Sequence, residues 1–115
     1  MIKKYKGIII EESLEDNRIL NDLEIIKFEI TKDENPADRW HIYTVLVSEE
    51  EIERLAKIIK PNKWYMHFWK DNNIIAIFKD KKFNFNADDK FTRESAIQYG
   101  LLIGIPKEQL DFLIN

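Results

Sequence analysis

The chain has 115 residues, and its length predicts one domain, residues 1–115, with enough buried surface for a core. Cysteine is absent, which excludes a disulfide framework, a thiolate metal site and a cysteine nucleophile. The formal charge of −3 argues against a nucleic-acid partner, because nucleic-acid binders concentrate positive charge. No apolar run is long enough to span a bilayer, so we expect a soluble cytoplasmic protein without membrane contact.

The first part of the chain predicts three strands. Residues 3–11 are rich in isoleucine, and residues 23–31 alternate between apolar and charged side chains, as in a strand with one wet face. Residues 40–47 carry aromatic and β-branched side chains and are predicted to pair with 23–31 in an antiparallel hairpin with a long connection. Between the first two strands, residues 14–20 fit either a short helix capped by Ser13 or an ordered loop.

Residues 48–60 predict a helix with clear start and stop signals. Ser48 and Glu51 form a capping box, and Pro61 ends the segment. One apolar stripe follows the helical spacing: Ile52, Leu55, Ala56 and Ile59. The glutamates at 49–51 suit the positive end of the helix dipole, and this interpretation is preferred to an acidic binding site.

The stretch at 64–69 is the most aromatic in the chain and predicts a central strand. Alternation places its side chains in two sets, Trp64, Met66 and Phe68 on one face and Tyr65, His67 and Trp69 on the other. An Asx-rich turn follows, and residues 74–79 complete a hairpin. Because this hairpin lacks a polar face, either helices cover both sides or one side is a binding surface.

The last part predicts one more strand and one more helix. Residues 82–86 alternate as an edge strand, and a helix capped by Thr92 or Asp89 runs to Ile103 before Gly104 ends it. A last helical turn and apolar tail are predicted to dock on the domain through Leu110, Phe112 and Leu113.

The element order, β(α)ββαβββα, predicts an α+β fold. We expect a two-layer sandwich with a mixed, mainly antiparallel sheet of five to six strands and two main helices. Residues 40–47, the helix at 48–60 and residues 64–69 fit a βαβ crossover, which is right-handed if both strands run parallel in one sheet. A ferredoxin-like variant is one candidate, although its simplest form has a different order.

The chain also resembles a family of small prokaryotic proteins of uncharacterised function. The resemblance extends from residue 7 onward and rests on the Trp-Tyr-Met-His-Phe-Trp strand at 64–69, the acidic loop at 88–90 and a C-terminus in which Gly104-Ile105-Pro106 is followed by Glu108-Gln109-Leu110-Asp111-Phe112. It implies one complete small domain of that family. It transfers no catalytic residue.

Sites with known chemistry are not evident in the sequence. The two histidines, His41 and His67, lie in neither H-x-x-x-H nor H-E-x-x-H spacing, so no metal and no cofactor is predicted. Both are interpreted first as structural or interface residues and second as a ligand or general base. No nucleophile elbow or phosphate-binding glycine loop is present, so no catalytic residue is assigned.

The favoured hypothesis is a non-enzymatic interaction module that binds a protein partner or forms a homodimer through an aromatic sheet face. The candidate binding residues are Tyr65, His67, Trp69, His41 and Tyr43. The alternative is a small-ligand-binding domain or small enzyme with a pocket around His67 or His41. A third hypothesis, single-stranded nucleic acid stacked on the aromatic face, has the rings but lacks the charge. The competing structural interpretation is that the first strands, residues 11–22 or the C-terminal tail cover the aromatic face.

Overall fold

The computed structural model describes residues 5–112 and has an α+β fold. Its strands and helices are β1 (Tyr5–Ile10), β2 (Glu24–Ile30), β3 (His41–Val47), α1 (Glu49–Ile58), β4 (Met66–Lys70), β5 (Asn73–Phe78), β6 (Lys81–Asn86) and α2 (Lys90–Leu102). Short 3-10 turns span Glu11–Ser13, Asn17–Asp22, Pro36–Asp38 and Lys107–Gln109. No helix within residues 5–112 combines the length and apolar character needed to cross a bilayer. The first residues of the predicted opening strand and the predicted anchor Leu113 lie outside the described residues.

All six strands belong to one sheet in the order β2-β3-β1-β4-β5-β6, and each neighbouring pair is antiparallel. The predicted hairpins β2–β3 and β4–β5 are both present. Because β3 and β4 each run antiparallel to β1, they are parallel to one another, and α1 joins them across the inserted strand. β1 and β4 are therefore the two central strands, which places the aromatic stretch in the middle of the sheet.

Two apolar cores lie on opposite faces of the sheet. The α1 stripe packs against Met66 and Phe68 of β4 in one core, and Ala96 of α2 packs with Trp69 and Phe85 in the other. Of the two arrangements that the apolar hairpin left open, the structure has the one with helices on both faces. The predicted sandwich thus gains a second helical layer over the β4–β6 half of the sheet.

The predicted caps of α1 and α2 hold, and the cap of the 14–20 segment differs. The Ser48 Oγ accepts a hydrogen bond from the backbone N–H of Glu51 at 3.2 Å, and Glu51 Oε1 accepts from the backbone N–H of Ser48 at 3.0 Å. Asp89 caps α2. Residues 17–22 form a 3-10 helix capped by Asp16, whose side chain accepts from the backbone N–H of Arg18. The hydroxyl of Ser13 instead donates to the backbone carbonyl of Ile10.

The centre of the sheet depends on one glycine. In the short β1–β4 pairing, Gly7 lies opposite Phe68, whose ring covers it. A Cβ atom at position 7 would lie 2.1 Å from Phe68 Cδ1, far inside contact distance. Gly7 therefore allows the phenylalanine ring to lie close against the backbone of β1.

The segment after α2 is docked in the second core, as predicted from its apolar residues. Gly104 has φ +97° and ends the helix. Leu110 fits over Gly100, where a Cβ would lie 2.7 Å from Leu110 Cδ2. Phe112 is 1% exposed. The C-terminal segment therefore covers part of the sheet face that α2 leaves open.

Candidate interaction surface

The structure separates the candidate binding residues into two groups on opposite faces of the sheet. Tyr65, His67 and Trp69 form a row on the α2 side, with ring centroids 6.2 Å and 5.2 Å apart along the row. Phe112 packs against Tyr65 and His67 at 5.5 Å and 6.0 Å, and the Tyr65 hydroxyl donates to the backbone carbonyl of Gln109. Burial, together with the negative charge of Asp111, raises the pKa of the Tyr65 phenol. The C-terminal segment therefore covers this row, as in the competing structural interpretation.

His41 and Tyr43 lie on the α1 side and bind two carboxylates from the turn after β1. The Tyr43 hydroxyl donates to Glu11 Oε1 at 2.7 Å. The backbone N–H of His41 donates to Glu12 Oε1 at 2.9 Å, and the imidazole Nδ1 lies 2.7 Å from Glu12 Oε2. Each ring is thus held by its own carboxylate, and the hydrogen bonds fix both side chains on β3.

These contacts shift the pKa values of Glu12, His41 and Tyr43. Burial alone would raise the pKa of Glu12, but hydrogen bonds from the imidazole and backbone of His41 more than offset it and lower that pKa. The hydrogen bond to Glu12 raises the pKa of His41 despite slight desolvation. The hydrogen bond to Glu11, with burial, raises the pKa of Tyr43 to about 12. The cluster therefore favours a carboxylate–imidazolium pair and a neutral phenol.

Phe28 of β2 extends this cluster toward the edge of the sheet. Its ring is stacked on His41 at 6.1 Å and lies 4.9 Å from the ring of Tyr43. Phe28 was not among the binding residues predicted from the sequence, where the alternation of residues 23–31 indicated a strand with one buried face. Its position on an outer strand makes it a surface residue here.

β2 is one of the two outer strands of the sheet, with β6 at the other edge, and every residue of β2 is exposed. Its four large apolar side chains are 40–49% exposed: Ile25, Ile26, Phe28 and Ile30. We call these four side chains and the outer backbone of β2 the edge patch. The pairing with β3 shifts between Ile25 and Lys27, so Ile26 is the extra residue of a bulge. The adjacent isoleucines at 25 and 26 break the alternation and are the sequence signal for this bulge.

A groove of about 380 Å³ lies where β1 ends. Trp40 and Trp64, just before β3 and β4, meet beyond Ile10 with ring centroids 5.5 Å apart. Lys63 and Tyr65 also line the groove, and neither histidine is among its lining residues. The structure thus places the aromatic groove next to the row of Tyr65 and not around His67 or His41.

Within residues 5–112, no group of three or more histidine, aspartate or glutamate side chains is arranged to hold a metal ion. Comparisons with protein-family models, with curated proteins and with solved structures found no match. The resemblance described from the sequence therefore stays a prediction.

Proposed function

We propose that the protein is a small association module whose binding surface is the edge patch. A strand of the partner would extend the sheet beyond β2, with main-chain hydrogen bonds for affinity and the apolar side chains for specificity. The observation that carries the proposal is an outer strand whose apolar side chains are all exposed. No enzymatic activity is part of it.

Edge strands normally carry features that prevent pairing with another chain. Proteins shorten them, place lysine, other charges or proline on them, twist them away with a β-bulge, or cover them. β2 is seven residues long, contains no proline and presents Phe28 and Ile30 to solvent. Its charged residues, Glu24, Lys27 and Glu29, are of both signs and do not form a single repulsive field. Lys27 and the bulge at Ile26 are two of the protective features, and they leave residues 27–30 as a regular, uncovered stretch that carries Phe28 and Ile30. This stretch favours an edge that accepts a partner strand.

The proposed surface differs from the row of Tyr65, His67 and Trp69 that the sequence suggested. Phe112 packs against that row, so a partner would have to displace the C-terminal segment to reach it. His41 and Tyr43 adjoin the edge patch through Phe28, and they remain part of the proposed surface.

The test compares two lysine substitutions of exposed phenylalanines. Phe28→Lys places a charge in the centre of the edge patch, whereas Phe91→Lys changes the 85% exposed phenylalanine at the start of α2. Sedimentation velocity over a range of concentrations measures self-association. Affinity purification from the cells that express the protein measures association with other chains. Circular dichroism checks that both variants fold.

We expect Phe28→Lys to abolish the association of the wild-type chain and Phe91→Lys to leave it unchanged. Equal effects of the two substitutions would mean that the edge patch is not the binding surface. A wild-type chain that associates with nothing in either measurement would reject the module itself.

The aromatic groove supports a second candidate function, the binding of a small ligand. Its volume of about 380 Å³ lies within the range of small-molecule sites, and Trp40 and Trp64 provide faces for a flat apolar ligand, with Lys63 beside them for a negative group. Native mass spectrometry of gently purified protein should then detect a retained mass that Trp40→Ala removes and Phe91→Ala does not. The same spectra report the subunit number, and a bare chain in every spectrum would count against the groove.

A further inference from the structure

We infer that the partner at the edge patch is a second copy of this chain, with β2 pairing antiparallel to β2 about a two-fold axis at Phe28. The inference rests on the proposed function, because it names the occupant of the same surface. The backbone groups that β2 directs outward and the charges on either side of Phe28 support it.

The pairing with β3 determines which backbone groups of β2 point outward. Thr31 donates its backbone N–H to the carbonyl of Trp40 at 3.0 Å, one position beyond the pairing of Ile30 with His41. Hydrogen-bonded and non-bonded pairs alternate along an antiparallel ladder. Residues 29 and 27 therefore direct their backbone groups toward β3, whereas Phe28 and Ile30 direct theirs to the outer edge.

This alternation restricts the ways in which two copies can pair. An outward-directed residue must lie opposite another outward-directed residue, so a two-fold axis at Phe28 lets Phe28 exchange both backbone hydrogen bonds with its own copy. Ile30 then lies opposite the bulge at Ile26 of the second copy, so the regular part of the new ladder is residues 27–29 of each chain. The same surface is used by both chains, as a two-fold dimer requires.

The charges of β2 select this register over its neighbours. With the axis at Phe28, Lys27 of each copy lies opposite Glu29 of the other, which gives two opposite-charge pairs across the interface. An axis at Lys27 would place two lysines opposite one another, and an axis at Glu29 would place two glutamates opposite one another. Like charges directly opposite are destabilising, so the register at Phe28 is the one that the sequence of β2 favours.

The apolar side chains agree with the same register. Phe28 lies on the face that carries Tyr43 and His41, and the axis brings the two Phe28 rings side by side on that face. Each ring then extends an aromatic row that begins on β3 of its own chain. Aromatic neighbours across antiparallel strands stabilise a sheet.

The first test exchanges the charges. Lys27→Glu and Glu29→Lys each replace two attractive pairs by two repulsive ones, and each variant alone should raise the dimer dissociation constant about tenfold or more. The double variant Lys27→Glu/Glu29→Lys restores both pairs with reversed charges and should dimerise like the wild type. An equimolar mixture of the two single variants should form the mixed dimer, since each chain then carries one sign. Sedimentation equilibrium and native mass spectrometry measure both results.

The second test uses the absence of cysteine from the chain. A lone thiol introduced by Phe28→Cys would lie opposite itself, with Cα atoms about 5.5 Å apart, within the range that a disulfide spans. Added diamide would take two electrons and two protons from the two thiols and leave a covalent dimer. Ile30→Cys is the matched control, because residue 30 faces residue 26 and lies roughly 13 Å from its own copy along the strand.

The outcomes distinguish this inference from the function on which it rests. Rescue by the double variant and by mixing, with cross-linking at position 28 but not at 30, supports the two-fold at Phe28. If Phe28→Lys disrupts the dimer, but neither the double variant nor mixing rescues the single charge variants, the register is overturned while the association module stands. A wild-type monomer at all concentrations that still binds another chain through Phe28 overturns self-pairing alone. A dimer unaffected by Phe28→Lys rejects both.

Discussion

Replacing Gly7 by alanine should weaken the centre of the sheet. The added Cβ would lie 2.1 Å from Cδ1 and 2.6 Å from Cε1 of Phe68, whereas carbon atoms in contact are separated by about 3.5–4.0 Å. The ring has to move by more than an ångström, and Phe68 is 0% exposed, so neighbouring side chains have to move with it. Overpacking of this kind costs about 1–3 kcal/mol. The upper part of that range applies, because the obstacle is a buried ring and not the end of a flexible chain.

A smaller gain opposes this cost. Alanine restricts the unfolded chain more than glycine does, which is worth about 0.4–1 kcal/mol where the backbone conformation is compatible. The expected net loss is therefore about 2 kcal/mol, or roughly 8 °C in Tm for a chain of this size. Urea unfolding followed by tryptophan fluorescence and by circular dichroism measures it. A change within about 0.5 kcal/mol of the parent would mean that the Gly7–Phe68 contact is not as tight as the geometry states.

A double-mutant cycle attributes the loss to this pair. Phe68→Ala alone removes a buried ring and should cost about 3–5 kcal/mol. In the Phe68→Ala background the methyl group at position 7 has no ring to displace, so Gly7→Ala should become neutral or slightly stabilising. Additive effects of the two substitutions would refute the reasoning, because residues in contact must couple.

Two further predictions concern hydrogen bonds at the surface and at the start of α1. Folding raises the pKa of His41 through its contact with Glu12, so this stabilisation is complete below the ordinary imidazole value of about 6.5 and is lost as the pH rises through the raised folded-state value. Glu12 has a lowered pKa, and its contribution to the free energy of unfolding is lost as the pH falls below the ordinary range of a glutamate. NMR titration of the His41 imidazole should therefore show a lower midpoint in Glu12→Gln than in the parent. An unchanged midpoint would mean that the pair does not form in solution. Ser48→Ala should reduce the free energy of unfolding by about 1–2 kcal/mol, because it removes the acceptor for the N–H of Glu51 in a buried capping box; a loss below about 0.5 kcal/mol in urea unfolding would show that another group replaces the hydroxyl.

Local sequence patterns predicted the elements well because the forces that form them are local. The helix at 48–60 was predicted from a cap, an apolar stripe and a following proline, and α1 has the expected capping box over Glu49–Ile58. The same holds for the end of α2 at Gly104, where the positive φ favours glycine. For each of these features the decisive contacts lie within a few residues along the chain.

The sheet order and the exposed surface were not predictable in this way, because they depend on contacts between distant residues. β1 is inserted between β3 and β4, and nothing in residues 5–10 indicates this position except the glycine that accommodates Phe68. The alternation in residues 23–31 indicated a strand with one buried face, but the strand lies at the edge and both of its faces are exposed. The sequence also left open whether the row of Tyr65, His67 and Trp69 is exposed or covered, and Phe112, more than forty residues later, packs against Tyr65 and His67.

The contrast between the two sides of the sheet explains why an association surface is expected at β2. β5, which belongs to the half with a helix on each face, is almost entirely buried, whereas the seven residues of β2 bury little. Ordering a residue costs about 1–2 kcal/mol of conformational entropy, and burial of apolar surface is the main term that offsets it. β2 obtains its order from the ladder with β3 and from the ring of Phe28 on His41 and Tyr43. A second strand on the outer edge would bury the apolar side chains that β2 now exposes and satisfy the backbone groups of Phe28 and Ile30. β2, which buries little apolar surface in the monomer, would thus be stabilised by the burial and the hydrogen bonds that a partner strand adds.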